Sequence, residues 1–330
     1  MKDNYAVYSD YKSRIDEMLS VSIQKTQPET LYDPLKYILS GGGKRIRPMM
    51  LIFSCEAAGG NPEESFNASA AIELLHNFTL VHDDIMDNAD TRRGRETIHK
   101  KWNNNIAILC GDHLIGMAYS YLFKTKSSAL QEIASVFTEG IIEVCEGQSF
   151  DKEFETRKDV SADEYLMMIG KKTAKMLETS AVIGALIGNG NTERVNILKS
   201  FAHNTGMAFQ ILDDLLDITA DESEFGKKIG GDIVECKKTY LLLKANEFVT
   251  ENKDREKLNY ILENKGIDKV NGKMIEDIKD IYEKYGVIDS AKTQIEKYTI
   301  QAEKYLNMLP EPESRERLKW FSQMLMSRSF

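Results

Sequence analysis

The sequence predicts an all-α fold of roughly ten to thirteen helices, on three observations. Apolar residues recur three and four apart through most of the 330 residues, as in Leu130, Ile133, Val136, Phe137, Ile141, Ile142 and Val144. No segment alternates apolar and polar residues in the two-residue period of a strand. Proline occurs at Pro28, Pro34, Pro48 and Pro62 and then not until Pro310 and Pro312. An interior proline costs a helix about 3 kcal/mol, so this gap favours long helices.

Taken in order, Asn61-Pro62-Glu63-Glu64 reads as a helix start, with proline at the first position and acids in the first turn. It leads into Ala70-Ala71-Ile72-Glu73-Leu74-Leu75 and on through Leu80-Val81 to Asp83-Asp84-Ile85-Met86-Asp87. The charge-rich stretch from Asp151 to Asp159 reads as a loop or an exposed helix end, and Lys172-Thr173 as the beginning of a new helical stretch. Gly188-Asn189-Gly190-Asn191 punctuates, and Asn191-Thr192-Glu193 starts the next helix. Its apolar run Met207 to Leu212 ends in Asp213-Asp214-Leu215-Leu216-Asp217. No clear proline-, glycine- or serine-rich linker divides the chain, so residues 1–330 are expected to form one domain.

A 42% hydrophobic composition suffices for a large core. The formal charge of −9 argues against nucleic-acid binding, which needs a basic footprint. Cys55, Cys110, Cys145 and Cys236 form no CxxC pair and are expected as reduced thiols, mostly in the core. No apolar run reaches the ~18 residues of a membrane span and no apolar leader precedes the first acids, so a soluble cytoplasmic protein is expected.

The two acidic clusters carry the chemistry. Helical positions i and i+4 lie on one face about 6 Å apart, so Asp83 with Asp87, and Asp213 with Asp217, each make a two-carboxylate claw. Each ends an apolar run, where unpaired carboxylates are costly without a cation. Facing helices would make the claws two halves of one site, and hard oxygen ligands favour Mg²⁺, which keeps waters and shares substrate phosphates. Basic segments follow. Gly41-Gly42-Gly43-Lys44-Arg45-Ile46-Arg47-Pro48 sets three cations behind glycines that admit a phosphate, without the spacing of a Walker A loop. Arg92-Arg93-Gly94 lies just past the first cluster; in or near helical geometry the two arginines differ by about 100° and serve different anions. Gly226-Lys227-Lys228-Ile229-Gly230-Gly231-Asp232 and Lys237-Lys238-Thr239 follow the second. His76 stands seven residues before Asp83, two turns along nearly the same face. His82, His99, His113 and His203 have no comparable support.

From about Tyr32 to Thr239 the chain resembles the trans-polyprenyl diphosphate synthases. The matching strings are GGGKRIRP, HDDIMDNADTRRG, GQSFD, KT at Lys172-Thr173, FQILDDLLD, GKKIGGD and KKT, in the family's order. The resemblance implies antiparallel helices bundled around a deep central cavity, usually in a homodimer. It implies Asp83, Asp87 and Asp213 as the principal ligands of a cluster of about three Mg²⁺ ions on an allylic diphosphate, Mn²⁺ being an alternative. Asp84, Asp214 and Asp217 would act through water or as supports behind them. Arg92, Lys172 and Lys237 would hold the same diphosphate, and Lys44, Arg47, His76 and Arg93 would bind isopentenyl diphosphate. Lys227 matches the family's lysine after glycine, with Lys228 as its rival. Gln148, Asp151, Thr173 and Gln210 would line the reacting region.

The implied reaction is ionisation of a dimethylallyl, geranyl or farnesyl diphosphate followed by attack of isopentenyl diphosphate, in a site closed to water by Leu75, Phe78, Met117, Phe209 and Leu212. By the same resemblance Thr79 and Phe78, four and five residues before the first motif, close the floor of the tail pocket. One aromatic with a small partner implies products of about fifteen to twenty carbons in a pocket of that depth. A longer-chain synthase is the alternative on this point. A terpene cyclase or a squalene-type synthase would not need the isopentenyl diphosphate site, and a noncatalytic regulatory subunit would be expected to lack a key aspartate.

Overall fold

The structure, a computed structural model, describes residues 3–220, 230–263, 272–310 and 312–327. It is helical throughout, apart from one two-strand ladder among the described residues. The helices are α1 (Asn4–Ser20), α2 (Glu29–Leu39), α3 (Ile46–Ala57), α4 (Phe66–Met86), α5 (Ile98–Lys101), α6 (Asn104–Leu122), α7 (Leu130–Thr156), α8 (Ala162–Ile169), α9 (Lys175–Ile187) and α10 (Thr192–Thr219). They continue as α11 (Gly231–Val234), α12 (Tyr240–Phe248), α13 (Asn252–Glu263), α14 (Gly272–Lys284), α15 (Val287–Leu306) and α16 (Pro312–Ser327). Two compact units emerge: residues 1–137, 179–198 and 309–320, and residues 138–178, 199–308 and 321–330.

In the first unit α4 packs on α3 and α6. The Asn61 side chain accepts from the Glu63 backbone N–H and caps a 3₁₀ turn, Pro62–Ser65, that runs into α4. Most of α4 is buried, including Ala70, Ala71, Ile72, Leu74 and Leu75, so its helical state is secured by burial all round and not by one apolar stripe. The acidic cluster lies in its last turn and cap, where the Asp87 N–H reaches the Asp83 carbonyl at 2.8 Å.

In the second unit one core joins α8, α10 and α12 to α15, with Tyr165, Met207, Ile211, Leu215, Leu242, Ile278 and Tyr282 at its centre. Ser161 and Glu164 form a reciprocal cap at the start of α8. The Asn191 side chain accepts from the Arg194 N–H at 2.9 Å where α10 begins. The stretch from Asp151 proves to be a helix end, with α7 stopping at Thr156. Lys238 Nζ donates to the carbonyls of Phe154 and Arg157 at 2.5 and 2.6 Å, satisfying groups that the helix end would leave unpaired.

Two expectations need correction. Lys172-Thr173 does not open a helix. Both residues sit in a π turn, Gly170–Ala174, between α8 and α9. The four cysteines are free, but only Cys55 and Cys110 are buried; Cys145 is exposed. Among the described residues, no helix is long and apolar enough to cross a membrane.

Candidate active site

In the first unit the basic string divides its labour. Arg45, 2% exposed in its side chain, donates through Nε to Asp16 and through Nη1 to Glu73, both at 2.6 Å. It is a buried brace. Arg47 instead sets Nη1 3.1 Å from His76 Nε2, while its Nε is buried without a partner among the described residues. Because a guanidinium only donates, His76 Nε2 must accept here, which assigns the ring proton to Nδ1. Burial first, then Arg47 and Arg93, hold the imidazole well below its usual pKa, so it is neutral at pH 7. Burial lowers Arg47 to about 10, which leaves it charged. An orphaned buried guanidinium N–H beside a neutral histidine suits an incoming anion. Lys44 is exposed.

Arg92 and Arg93 lie past the end of α4, as the spacing indicates, but in a hairpin and not in helical geometry. They belong to a hairpin of β1 (Thr91–Arg92) and β2 (Arg95–Glu96). Arg93 and Gly94 form its two-residue turn, both with positive φ (53° and 72°), the conformation a tight hairpin requires. Their divergence therefore comes from the turn. Arg92 Nε donates to Asp84 at 2.6 Å, whereas the Arg93 guanidinium reaches the Gly42 carbonyl in the glycine run. Asp84, Arg92, Arg93, Gly41 and Tyr37 line one cavity.

Asp83 and Asp87 are half-buried and Asp84 is 2% exposed. Burial raises the Asp84 pKa against the pull of Arg92. The second cluster repeats this pattern: Asp213 and Asp217 are half-buried and Asp214 is buried. Asp214 accepts from Tyr165 Oη and, at 3.1 Å, from Gln210 Nε2, whose Oε1 accepts from Thr173 Oγ1 at 3.0 Å. Burial pushes Asp214 up to about 7. Asp217 accepts from the Asp232 backbone N–H at 3.0 Å. Asp232 itself is raised well above the usual range by burial and by the charges of Asp214 and Asp217. It thus joins the cluster, a residue quoted within GKKIGGD but given no role by spacing.

The first cluster and Asp217 of the second lie in the last turn or cap of their helices, the negative end of the helix dipole, so carboxylates there are disfavoured unless cations answer them. Lys172 Nζ is 2.6 Å from Asp151. Lys237 pairs with Glu235 at 2.6 Å, and its backbone N–H donates to the Asp232 carbonyl at 2.9 Å. Among the described residues no three acidic, histidine or cysteine side chains form a ready metal cage. Pairs of half-buried carboxylates nevertheless fit Mg²⁺, a hard cation held by one or two carboxylates together with waters and phosphate oxygens. Lys227 and Lys228 lie outside the described residues.

Phe78 is 8% exposed and its ring meets His82 edge-on at 4.7 Å. The Thr79 hydroxyl donates to the His76 carbonyl at 2.8 Å. Leu75 is buried, and Met117, Phe209 and Leu212 are half-buried. Gln148 is buried. His203 contacts Glu178 at 3.2 Å. Tyr165, Glu73 and Asp16 were not singled out beforehand; each is remote in sequence from its partner, and no spacing rule connects them.

A family model for polyprenyl synthetase matches residues 28–284. The chain is 38% identical over 319 residues to a short chain isoprenyl diphosphate synthase of Methanothermobacter thermautotrophicus, covering 96% of each. It is 39% identical over 311 residues to a geranylgeranyl diphosphate synthase of Sulfolobus acidocaldarius, covering 93% of this chain and 92% of that one. The solved geranylgeranyl pyrophosphate synthetase of Pyrococcus horikoshii superposes with a TM-score of 0.91 at 35% identity, covering 98% and 99%.

Proposed function

Since the chain belongs to the polyprenyl synthetase family, we propose that it is a Mg²⁺-dependent prenyltransferase joining isopentenyl diphosphate head-to-tail to an allylic diphosphate. One observation carries this reading: each aspartate cluster presents two half-buried carboxylates within the last two turns or the cap of its helix, with a third that is buried and held by hydrogen bonds. Asp83, Asp87 and Asp213 are the principal metal ligands, and Asp84, Asp214 and Asp217 support them. Bound Mg²⁺ supplies Lewis-acid stabilisation of the leaving diphosphate.

Arg92, Lys172 and Lys237 neutralise the remaining charge that builds on that diphosphate as the C1–O bond breaks. Lys44, Arg47, His76 and Arg93 seat the second diphosphate, Arg47 through the N–H that has no partner among the described residues. The Thr173 hydroxyl donates to the Gln210 amide oxygen, and the Gln210 amide N–H donates in turn to Asp214, so both side chains are held beside the second aspartate cluster. The isopentenyl double bond attacks C1, and loss of a proton to the released diphosphate restores a neutral allylic chain. Apolar side chains such as Leu75 and Phe78 keep water from the cation.

Dimethylallyl, geranyl and farnesyl diphosphates are the candidate primers, with a product of about fifteen to twenty carbons, in keeping with the geranylgeranyl relatives. A single working domain, a cytoplasmic location and a homodimer complete the proposal. The homodimer is supported by apolar residues left exposed on and just after α6, Ile108, Leu109 and Phe123. Incubation with each primer, with and without isopentenyl diphosphate, tests the reaction: elongation should require both substrates and Mg²⁺. Hydrocarbon release from the allylic substrate alone would replace the proposal with a cyclase. In the same assay Phe78→Ala should lengthen the product by at least about one five-carbon unit, because removing a phenyl group deepens an apolar pocket. An unchanged product spectrum would remove Phe78 from the floor.

A further inference from the structure

The lysines flanking the reactive pair are bound in a network that the reaction does not use. Lys171 Nζ lies 2.7 Å from Glu146 and 3.3 Å from Glu143. Lys175 Nζ lies 2.7 Å from Glu143 and 3.1 Å from Glu178. Glu178 in turn meets His203 at 3.2 Å and Lys199 at 3.5 Å. On α7, Glu143, Gly147 and Asp151 follow at four-residue steps and so share one face. That face meets the π turn at three points. Glu143 takes Lys171 and Lys175, and Asp151 takes Lys172. Between them, a Cβ on Gly147 would fall 2.4 Å from the Lys172 backbone nitrogen.

A π turn needs such support. Its backbone bond runs from the Lys175 N–H to the Gly170 carbonyl, one residue longer than in an α-helix. Relaxation to α geometry would rotate the residues on one side by about 100° relative to those on the other. Lys172 and Thr173 would then leave the helix in other directions. The pairs on Glu143 and Glu178 are worth more than surface pairs, since Lys175 and Glu178 are only 15% and 11% exposed in their side chains.

We propose that Glu143, Lys171, Lys175 and Glu178 are positioning residues, an ionic clamp that keeps the π turn in register so that Lys172 and Thr173 face the allylic diphosphate. This rests on the prenyltransferase reading. Glu143→Gln, Lys175→Met and the double variant are compared with wild type for elongation kinetics in each substrate and for thermal unfolding. The clamp predicts a fall in kcat/KM for the allylic substrate of about tenfold to a hundredfold, the scale of a side chain misplaced by about 1 Å. The KM for isopentenyl diphosphate should stay within about twofold, and the double variant should lose no more than the worse single one. Unchanged allylic kinetics, or equal losses for both substrates, would overturn it. If these variants do not fold, the more exposed Lys171→Met carries the same expectation. Should the wild type fail to elongate, the prenyltransferase reading fails by itself. The clamp is then judged by calorimetric binding of inorganic diphosphate with Mg²⁺, where weakening by about tenfold supports it and unchanged binding overturns it.

Discussion

Asp83→Ala and Asp213→Ala are each expected to lower elongation by about a hundredfold to a thousandfold, the scale seen when one fixed stabiliser of a developing charge is removed. Neither should unfold the protein. Both side chains are half-buried, and Asp83 stands in the last turn of α4, where a negative charge works against the dipole by about 0.3–1 kcal/mol. The loss should therefore appear in kcat and in the Mg²⁺ dependence, with a melting temperature that holds or rises slightly. Steady-state kinetics over a Mg²⁺ titration, with thermal unfolding of the same samples, make the comparison. Near-wild-type turnover in either variant would undo the metal assignment.

Arg45→Ala should do the opposite, destabilising the fold by about 3–5 kcal/mol, as expected when one partner of a buried ion pair is deleted and the other is stranded. Glu73 is 2% exposed and would be left in the core without its guanidinium partner. Urea unfolding measures the loss. Arg45→Met combined with Glu73→Gln should recover much of it, since neither side chain then carries a charge. A loss below about 1 kcal/mol for Arg45→Ala would mean that the network with Asp16 and Glu73 contributes little, as surface pairs do. Arg47→Ala, two residues away, should instead weaken isopentenyl diphosphate binding, because its buried Nε has no partner among the described residues.

The contrast between these two arginines marks the limit of sequence reading. GGGKRIRP suggests an anion site through composition and order, but not which of its cations is committed to protein partners. Arg45 is committed to Asp16, twenty-nine residues before it, and to Glu73, twenty-eight after it. In the same way Lys237 and Lys238 look alike in the string, yet Lys238 closes the end of α7. Spacing placed Arg92 and Arg93 past the helix end, but only the structure shows that a positive-φ turn, and not helical geometry, sets their directions apart.

The sequence by itself determined the all-helical class, the helix starts around Asn61 and Asn191, the four-residue spacing within both aspartate clusters and the family. Each of these follows from periodicity, capping chemistry or motif order, which act over neighbouring residues. Only the tertiary structure decided that Asp84 and Asp214 are the buried members of their clusters, held by Arg92 and by Tyr165 with Gln210. It also decided that Asp232 joins the second cluster and that Lys172-Thr173 rides on a π turn against Gly147. Burial and partnership of a charge depend on which distant segments pack beside it, and no local pattern encodes that.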